Sequence, residues 1–312
     1  MGELALIERI RSGVRAKNAA VRVGIGDDCA VLRVTEGSEL LVTTDFCLEG
    51  RHFRRDWHTA QSAGHRCLAR GLSDVAAMGG RPVAAFLSLA LPNGFDEAWF
   101  AGFMEGLESL AEEHGVELAG GDTAEAPGTE ILADVMVVGM APKGKAMRRV
   151  GARVGDGVYV TGTLGGAAAE LAAMAAGEPW AHEGRPQSFP EPRLSVGKEL
   201  ARRGFATACM DLSDGLSTDL RHLCKASGVR AEIDLERLPV AAGATLEQAL
   251  HGGEDYELLF TAMAGVRVPA MIAAVPVTRI GTVLGGDGAM VQVVGGAELR
   301  IGGWEHFSRG KE

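Results

Sequence analysis

The spacing of apolar residues changes period repeatedly along the chain, and each change marks an element. Residues 3–11 place Leu4, Ile7 and Ile10 on one side of a short helix. Residues 21–23 predict a short strand, and Leu40-Leu41-Val42-Thr43-Thr44 predicts a longer one. Between residues 59 and 78, Ala63, Cys67, Leu68, Leu72, Val75 and Met78 recur at helical spacing. The unbroken apolar run 83–91 fits a buried strand, and Pro92-Asn93-Gly94 stops it. A second amphipathic helix is predicted over 96–114, followed by strands over 116–119 and 131–140.

The second half repeats this outline. A strand over 157–161 leads through a glycine turn into an alanine-rich helix over 167–176, and the polar, proline-bearing segment 178–192 reads as a surface loop or lid. Helices over 194–204 and 216–226 flank a strand over 206–210, and further strands are expected at 231–233, 278–283 and 290–294. Leu72-Ser73-Asp74 and Leu212-Ser213-Asp214 are matching tripeptides at similar depth in the two halves.

A chain of 312 residues is long for one core, so two domains of about 150 residues are expected. The basic cluster Lys143, Lys145, Arg148 and Arg149 interrupts an otherwise acidic sequence and marks the boundary, giving domains 1–142 and 143–312. With 46% hydrophobic and 23% charged residues, the composition is that of an ordinary folded protein. A net charge of −10 argues against nucleic acid or an anionic membrane as the main partner. No run reaches the ~18 apolar residues of a membrane span. The five cysteines form no C-x-x-C pair and read as reduced residues of a cytoplasmic protein.

Candidate chemistry centres on Asp211-Leu212-Ser213-Asp214-Gly215, two carboxylates and a hydroxyl closed by a glycine. Alone it fits an Asp-Gly turn ahead of a helix. It recurs in kind at Gly26-Asp27-Asp28, Thr43-Thr44-Asp45, Leu72-Ser73-Asp74, Gly120-Gly121-Asp122 and Gly252-Gly253-Glu254-Asp255, each beside an apolar run. Repeated carboxylates and hydroxyls suit a hard cation such as Mg²⁺. Two unpaired acids brought to ~4 Å repel by roughly 4 kcal/mol at an effective dielectric near 20, a cost that several divalent ions remove. Phosphoryl transfer is the reaction that most needs such ions, being largely positioning and charge neutralisation.

Two phosphate-binding motifs are imitated and fail. Gly24-Ile25-Gly26 lacks the third glycine of a dinucleotide loop and leads into a strand-like run. Residues 139–146 match a P-loop until Ala146, where a hydroxyl is required, and Pro142 interrupts them. His52 by itself reads as a loop residue or as a donor to a ligand oxyanion.

Taken in order, residues 24–32, 43–53, 72–79, 120–123, 211–219 and 252–260 resemble the thiamine-monophosphate kinase family of the aminoimidazole-ribonucleotide-synthetase-like superfamily, and Gly2-Glu3 with the helix after it fits too. The resemblance implies an α+β, two-domain fold whose N-terminal β-sheet forms a barrel across a homodimer interface, followed by a C-terminal α+β domain. It implies transfer of the γ-phosphoryl group of ATP, the co-substrate, to thiamine monophosphate, assisted by several Mg²⁺ ions. Metal ligands then fall on Asp28, Thr43, Thr44, Asp45, Asp74, Asp122, Asp211 and Asp214; Thr43 replaces a serine frequent in relatives and keeps the hydroxyl. Nucleotide contacts fall on Gly121, Asp122, Arg149 and Ser213, and substrate contacts on His52, Glu254 and Trp304. No residue is expected to act as covalent nucleophile or general base. Alternatives are a selenophosphate synthetase, disfavoured because no cysteine precedes Cys29, an aminoimidazole-ribonucleotide synthetase, a hydrogenase-maturation relative, or a non-catalytic nucleotide-binding regulator.

Overall fold

The protein is described by a computed structural model over residues 3–26, 28–286 and 290–304, so Gly2 and Asp27 of the motifs above lie outside the described residues. The chain divides into two compact units, Met1–Val75 with Gly80–Lys145, and Ala76–Gly79 with Ala146–Glu312.

The first unit contains α1 (Glu3–Gly13), β1 (Val21–Val23), β2 (Val31–Leu32), β3 (Ser38–Leu48), α2 (Ala60–Ala77), β4 (Arg81–Leu91), α3 (Glu97–His114), β5 (Glu117–Glu125) and β6 (Leu132–Pro142). Its four-stranded sheet runs β3-β6-β4-β5, with β4 and β5 parallel and the other neighbours antiparallel. Alternate side chains of a strand face opposite ways. Val83, Ala85, Leu87 and Leu89 of β4 are buried, and α2 lies close enough that a methyl on Gly71 would meet Val137 of β6. On the opposite face of β3, Leu40, Val42 and Phe46 are exposed, the last two by 61% each. Helix α3 begins where Asp96 accepts the Ala98 N–H at 2.8 Å and ends at Gly115 in the left-handed region. It packs on α2 so closely that a Cβ on Gly106 would stand 1.9 Å from the Gln61 carbonyl oxygen.

The second unit contains β7 (Gly157–Thr161), α4 (Gly166–Ala176), α5 (Leu194–Arg203), β8 (Ala208–Asp211), α6 (Leu216–Ser227), β9 (Arg230–Ile233), α7 (Leu246–His251), β10 (Leu258–Ala262), β11 (Met271–Ile272), β12 (Val275–Leu284) and β13 (Val291–Val293). Its sheet runs β13-β9-β12-β7-β10-β8, with β11 on β12. Leu216, Leu220 and Leu223, at three- and four-residue spacing, bury one face of α6 among Val158, Val160, Leu259 and Ile280.

Several expectations need correction. Leu4 is 83% exposed; Leu6, not Leu4, is the buried anchor of α1. Strand β5 runs on through the glycines and Asp122 instead of ending before them, because a bulge at Ala119 lets the pairing with β4 continue. Leu72–Asp74 lies within α2 while residues 212–214 form the loop between β8 and α6. The matching letters therefore occupy unlike backbones, and they carry no sign of duplication. Helix α7 escaped the periodicity reading because it has only six residues and rests on a Thr245–Gln248 capping box. Among the described residues no helix is long and apolar enough to cross a membrane.

Candidate functional site

The sequence-selected residues fall into two sets, one in each unit. In the first unit, Asp28, Gly121 and Asp122 line a cavity of about 720 Å³ together with Phe86, Ser88 and Met136. Gly121 has φ +146°, and a Cβ there would stand 1.9 Å from the Leu87 carbonyl oxygen. Only glycine fits this close approach, so the backbone itself forms the cavity wall. Asp28 and Asp122 are exposed, and Asp122 Oδ1 accepts the Thr123 N–H at 2.9 Å.

Strand β3 presents Thr43 and Asp45 on its α2-facing side, in step with buried Leu41 and Cys47. The Thr43 hydroxyl donates to the Asp74 carboxylate on α2, and Arg70, one turn earlier, stands 3.7 Å from Asp45. Asp74 thus has a polar partner although its sequence neighbours Leu72, Val75 and Ala76 are buried. Thr44 points the other way and donates to both oxygens of Asp134 on β6, at 2.9 and 2.8 Å. The structure therefore joins Thr43 to Asp74 and separates the Thr44 side chain from them. His52 sits in the turn after β3, where its Nδ1 accepts the Leu48 N–H at 2.9 Å and its carbonyl accepts from buried Arg66 at 3.2 Å.

In the second unit Asp211 ends β8, 4% exposed, and Ser213 and Asp214 follow in the loop to α6. That loop folds around Asp219, in the first turn of α6. Asp219 Oδ2 accepts the N–H groups of Ser213, Asp214 and Gly215 at 3.1, 3.0 and 3.1 Å. Its other oxygen is buried with no hydrogen-bond partner. Burial, then the charges of Asp214 and Asp211, push the Asp219 pKa up to about 8, against the pull of these N–H bonds and the positive charge of Arg149. Arg149 is itself placed by α6, since its carbonyl accepts from Ser227 Oγ at 3.1 Å. Asp214, Asp219 and His222 bring their ligand atoms within 4.8 Å of one another.

Two more candidates join this loop by their backbones. The Glu254 N–H donates to the Ser213 carbonyl at 2.9 Å and the Trp304 N–H to the Asp214 carbonyl at 3.0 Å. Glu254 holds φ +66°, an uncommon conformation for a side-chain-bearing residue. The Trp304 ring is half exposed.

The donors fit a hard divalent cation. Hydroxyl and carboxylate oxygens dominate both sets, and Asp219 resists ionisation first because it is buried and then because Asp214 and Asp211 beside it are negative. Sequence reasoning missed Asp219, Asp134 and Arg70. Asp219 lies within the α6 amphipathic pattern, where an acid reads as ordinary first-turn charge. Asp134 did carry a signal, an acid inside the apolar run 131–140.

Comparison with known proteins follows the same division. The family AIR synthase related protein, N-terminal domain, matches residues 26–141, and its C-terminal domain counterpart matches residues 153–294. Both halves thus belong to the AIR synthase related class, with its two-domain α+β fold. The chain is 42% identical to the thiamine-monophosphate kinase of Salmonella typhimurium over 83% of its own length and 82% of that protein. Thiamine-monophosphate kinase from Stenotrophomonas maltophilia superposes with a TM-score of 0.83 at 37% identity, over 95% of this chain and 98% of that one. AaThiL, solved complexed with AMPPCP and TMP, gives 0.78 at 31% identity, covering 98% and 97%. The chain belongs to the thiamine-monophosphate kinase family.

Proposed function

We propose that this protein transfers the γ-phosphoryl group of ATP to the phosphate of thiamine monophosphate, giving thiamine diphosphate, as a step of thiamine biosynthesis in the cytoplasm. The observation that carries this is full-length kinship with a relative that holds AMPPCP, an ATP analogue, together with TMP. Both acid sets serve one reaction in this reading. Asp28, Thr43, Asp45, Asp74 and Asp122 would hold Mg²⁺ from residues 1–142, the N-terminal ATP-binding domain, while the Thr44 hydroxyl, turned to Asp134, would not join them; Asp211 and Asp214 would hold it from residues 143–312.

The physical problem is repulsion. Donor triphosphate, acceptor phosphate and protein carboxylates are all negative. Mg²⁺ held by these carboxylates and the Thr43 hydroxyl would supply the positive charge that offsets the phosphates. The chain's own residues do the rest. Gly121 brings backbone against the nucleotide beside Asp122, Ser213 offers a hydroxyl to it, and Arg149 supplies a fixed cation for its phosphates. His52 and Glu254 receive the acceptor, Glu254 meeting its cationic end and Trp304 stacking on a ring. The acceptor phosphate is already largely ionised near neutral pH, so the reaction needs no strong general base.

The protein acts as a homodimer in this reading, with the N-terminal sheets of two copies closing a barrel. Support comes from the exposed apolar side of β3, where Leu40, Val42 and Phe46 form a face of the kind that copies of a chain cover. The test of function is ATP turnover with and without thiamine monophosphate: phosphorylation that depends on the acceptor supports the proposal, and acceptor-independent hydrolysis opposes it.

A further inference from the structure

The segment 178–192, expected as a surface loop, is fixed along its returning arm. Glu170 of α4 is fully buried and accepts from Arg185 Nε at 2.6 Å, the Gln187 N–H at 2.8 Å, the Ser188 N–H at 3.3 Å and Ser188 Oγ at 2.6 Å. One carboxylate therefore sets the backbone at two successive residues. Gln187, 2% exposed, then extends its side chain to Glu254, where Nε2 donates to Oε2 at 3.1 Å. The N-terminus of the same helix holds the residue next to Glu254: Asp255 accepts the Gly165 and Ala167 N–H groups at 2.7 and 3.2 Å. Glu254 is thus held by backbone on one side and by Gln187 at its carboxylate.

We infer that Gln187 is a positioning residue that aims the Glu254 carboxylate and so sets affinity for the cationic acceptor. An amide suits this task. Lysine or arginine at the same place would fix the carboxylate equally well and cancel its charge, whereas a neutral donor orients it and leaves the negative charge for the ligand. Burial of the amide keeps water from replacing it. The inference rests on the reading of Glu254 as the residue that meets the acceptor's positive end.

Gln187→Met keeps the volume and removes the donor. The expected result is a KM for thiamine monophosphate raised about tenfold, the equivalent of one hydrogen bond to a charged group, with the KM for ATP and the Tm unchanged. Gln187→Asn, which withdraws the donor by one methylene, should raise the same KM and serves if the Met variant folds poorly. Ser188→Ala loosens the same arm without touching the amide and should change KM less than twofold. In a double-mutant cycle, Gln187→Met should add nothing further once Glu254→Gln is present. If Glu254→Gln raises the KM and neither Gln187 variant does, the inference about Gln187 is wrong while the reading of Glu254 stands. If Glu254→Gln itself leaves that KM unchanged, the underlying reading is wrong. Equal rises in both KM values with a lowered Tm would make Gln187 a structural residue and overturn the inference.

Discussion

Asp219 holds Asp214 by its backbone while Asp214 helps keep the Asp219 side chain protonated: Oδ2 lies 3.0 Å from the Asp214 nitrogen, and burial, then the charge of Asp214, raises the Asp219 pKa to about 8. The loop that carries the metal-binding candidates is built around a buried carboxyl group that resists ionisation. Asp219→Ala removes the acceptor of three N–H groups and should cost about 2–4 kcal/mol in chemical denaturation, since each abandoned buried donor is expensive. Asp219→Asn keeps an oxygen in place and should cost less than half of that. Equal losses in the two variants would mean that the loop does not depend on this acceptor.

Asp255 gives a pH signature. Burial, partly opposed by its two backbone N–H bonds, raises its pKa from 3.8 to about 7. Between these values the folded protein retains a proton that the unfolded chain has released, so stability falls as pH rises. The contribution is fully present below about pH 4 and is lost as pH passes through 7. Thermal melts from pH 5 to 8 should therefore show a steeper decline for the native protein than for Asp255→Asn. Parallel curves would remove Asp255 from the account.

Gly121→Ala forces a Cβ into the Leu87 carbonyl at a backbone angle that disfavours side chains. It should destabilise the protein by about 3 kcal/mol or more and weaken nucleotide binding. A variant with native stability and native ATP affinity would show that β5 tolerates what this geometry forbids.

The exposed side of β3 makes a prediction about assembly. Phe46→Asp places a charge on the apolar face and should convert a dimer to a monomer in sedimentation velocity, with the far-ultraviolet circular dichroism unchanged. A native protein that sediments as a monomer would contradict the proposed barrel.

Much of the fold was legible because long periodic stretches bury one face: 59–78 became α2 and 83–91 lies within β4. Short capped elements such as α7 were not, since six residues carry too little periodicity. At the candidate site, glycine and hydroxyl neighbours singled out Asp28, Asp122, Asp211 and Asp214, which the structure places in loops, at a strand end or beside the Gly121 backbone. Side-chain direction was less accessible. Thr43 and Thr44 read alike in sequence, yet strand alternation sends one to Asp74 and the other to Asp134. Gln187 gave no signal, because its role depends on a distant buried acid, Glu170.

Transfer of a phosphoryl group from ATP to thiamine monophosphate at a carboxylate-held Mg²⁺ site is checked by product analysis of the purified protein with both substrates, with Mg²⁺ or with excess chelator, for the native chain and Asp211→Asn. ADP and thiamine diphosphate should form in equal amounts with Mg²⁺ and not at all with chelator, with at least a ~100-fold loss in the variant at nearly native Tm. Full-speed turnover in chelator, or a variant that loses activity only as it loses stability, would contradict it.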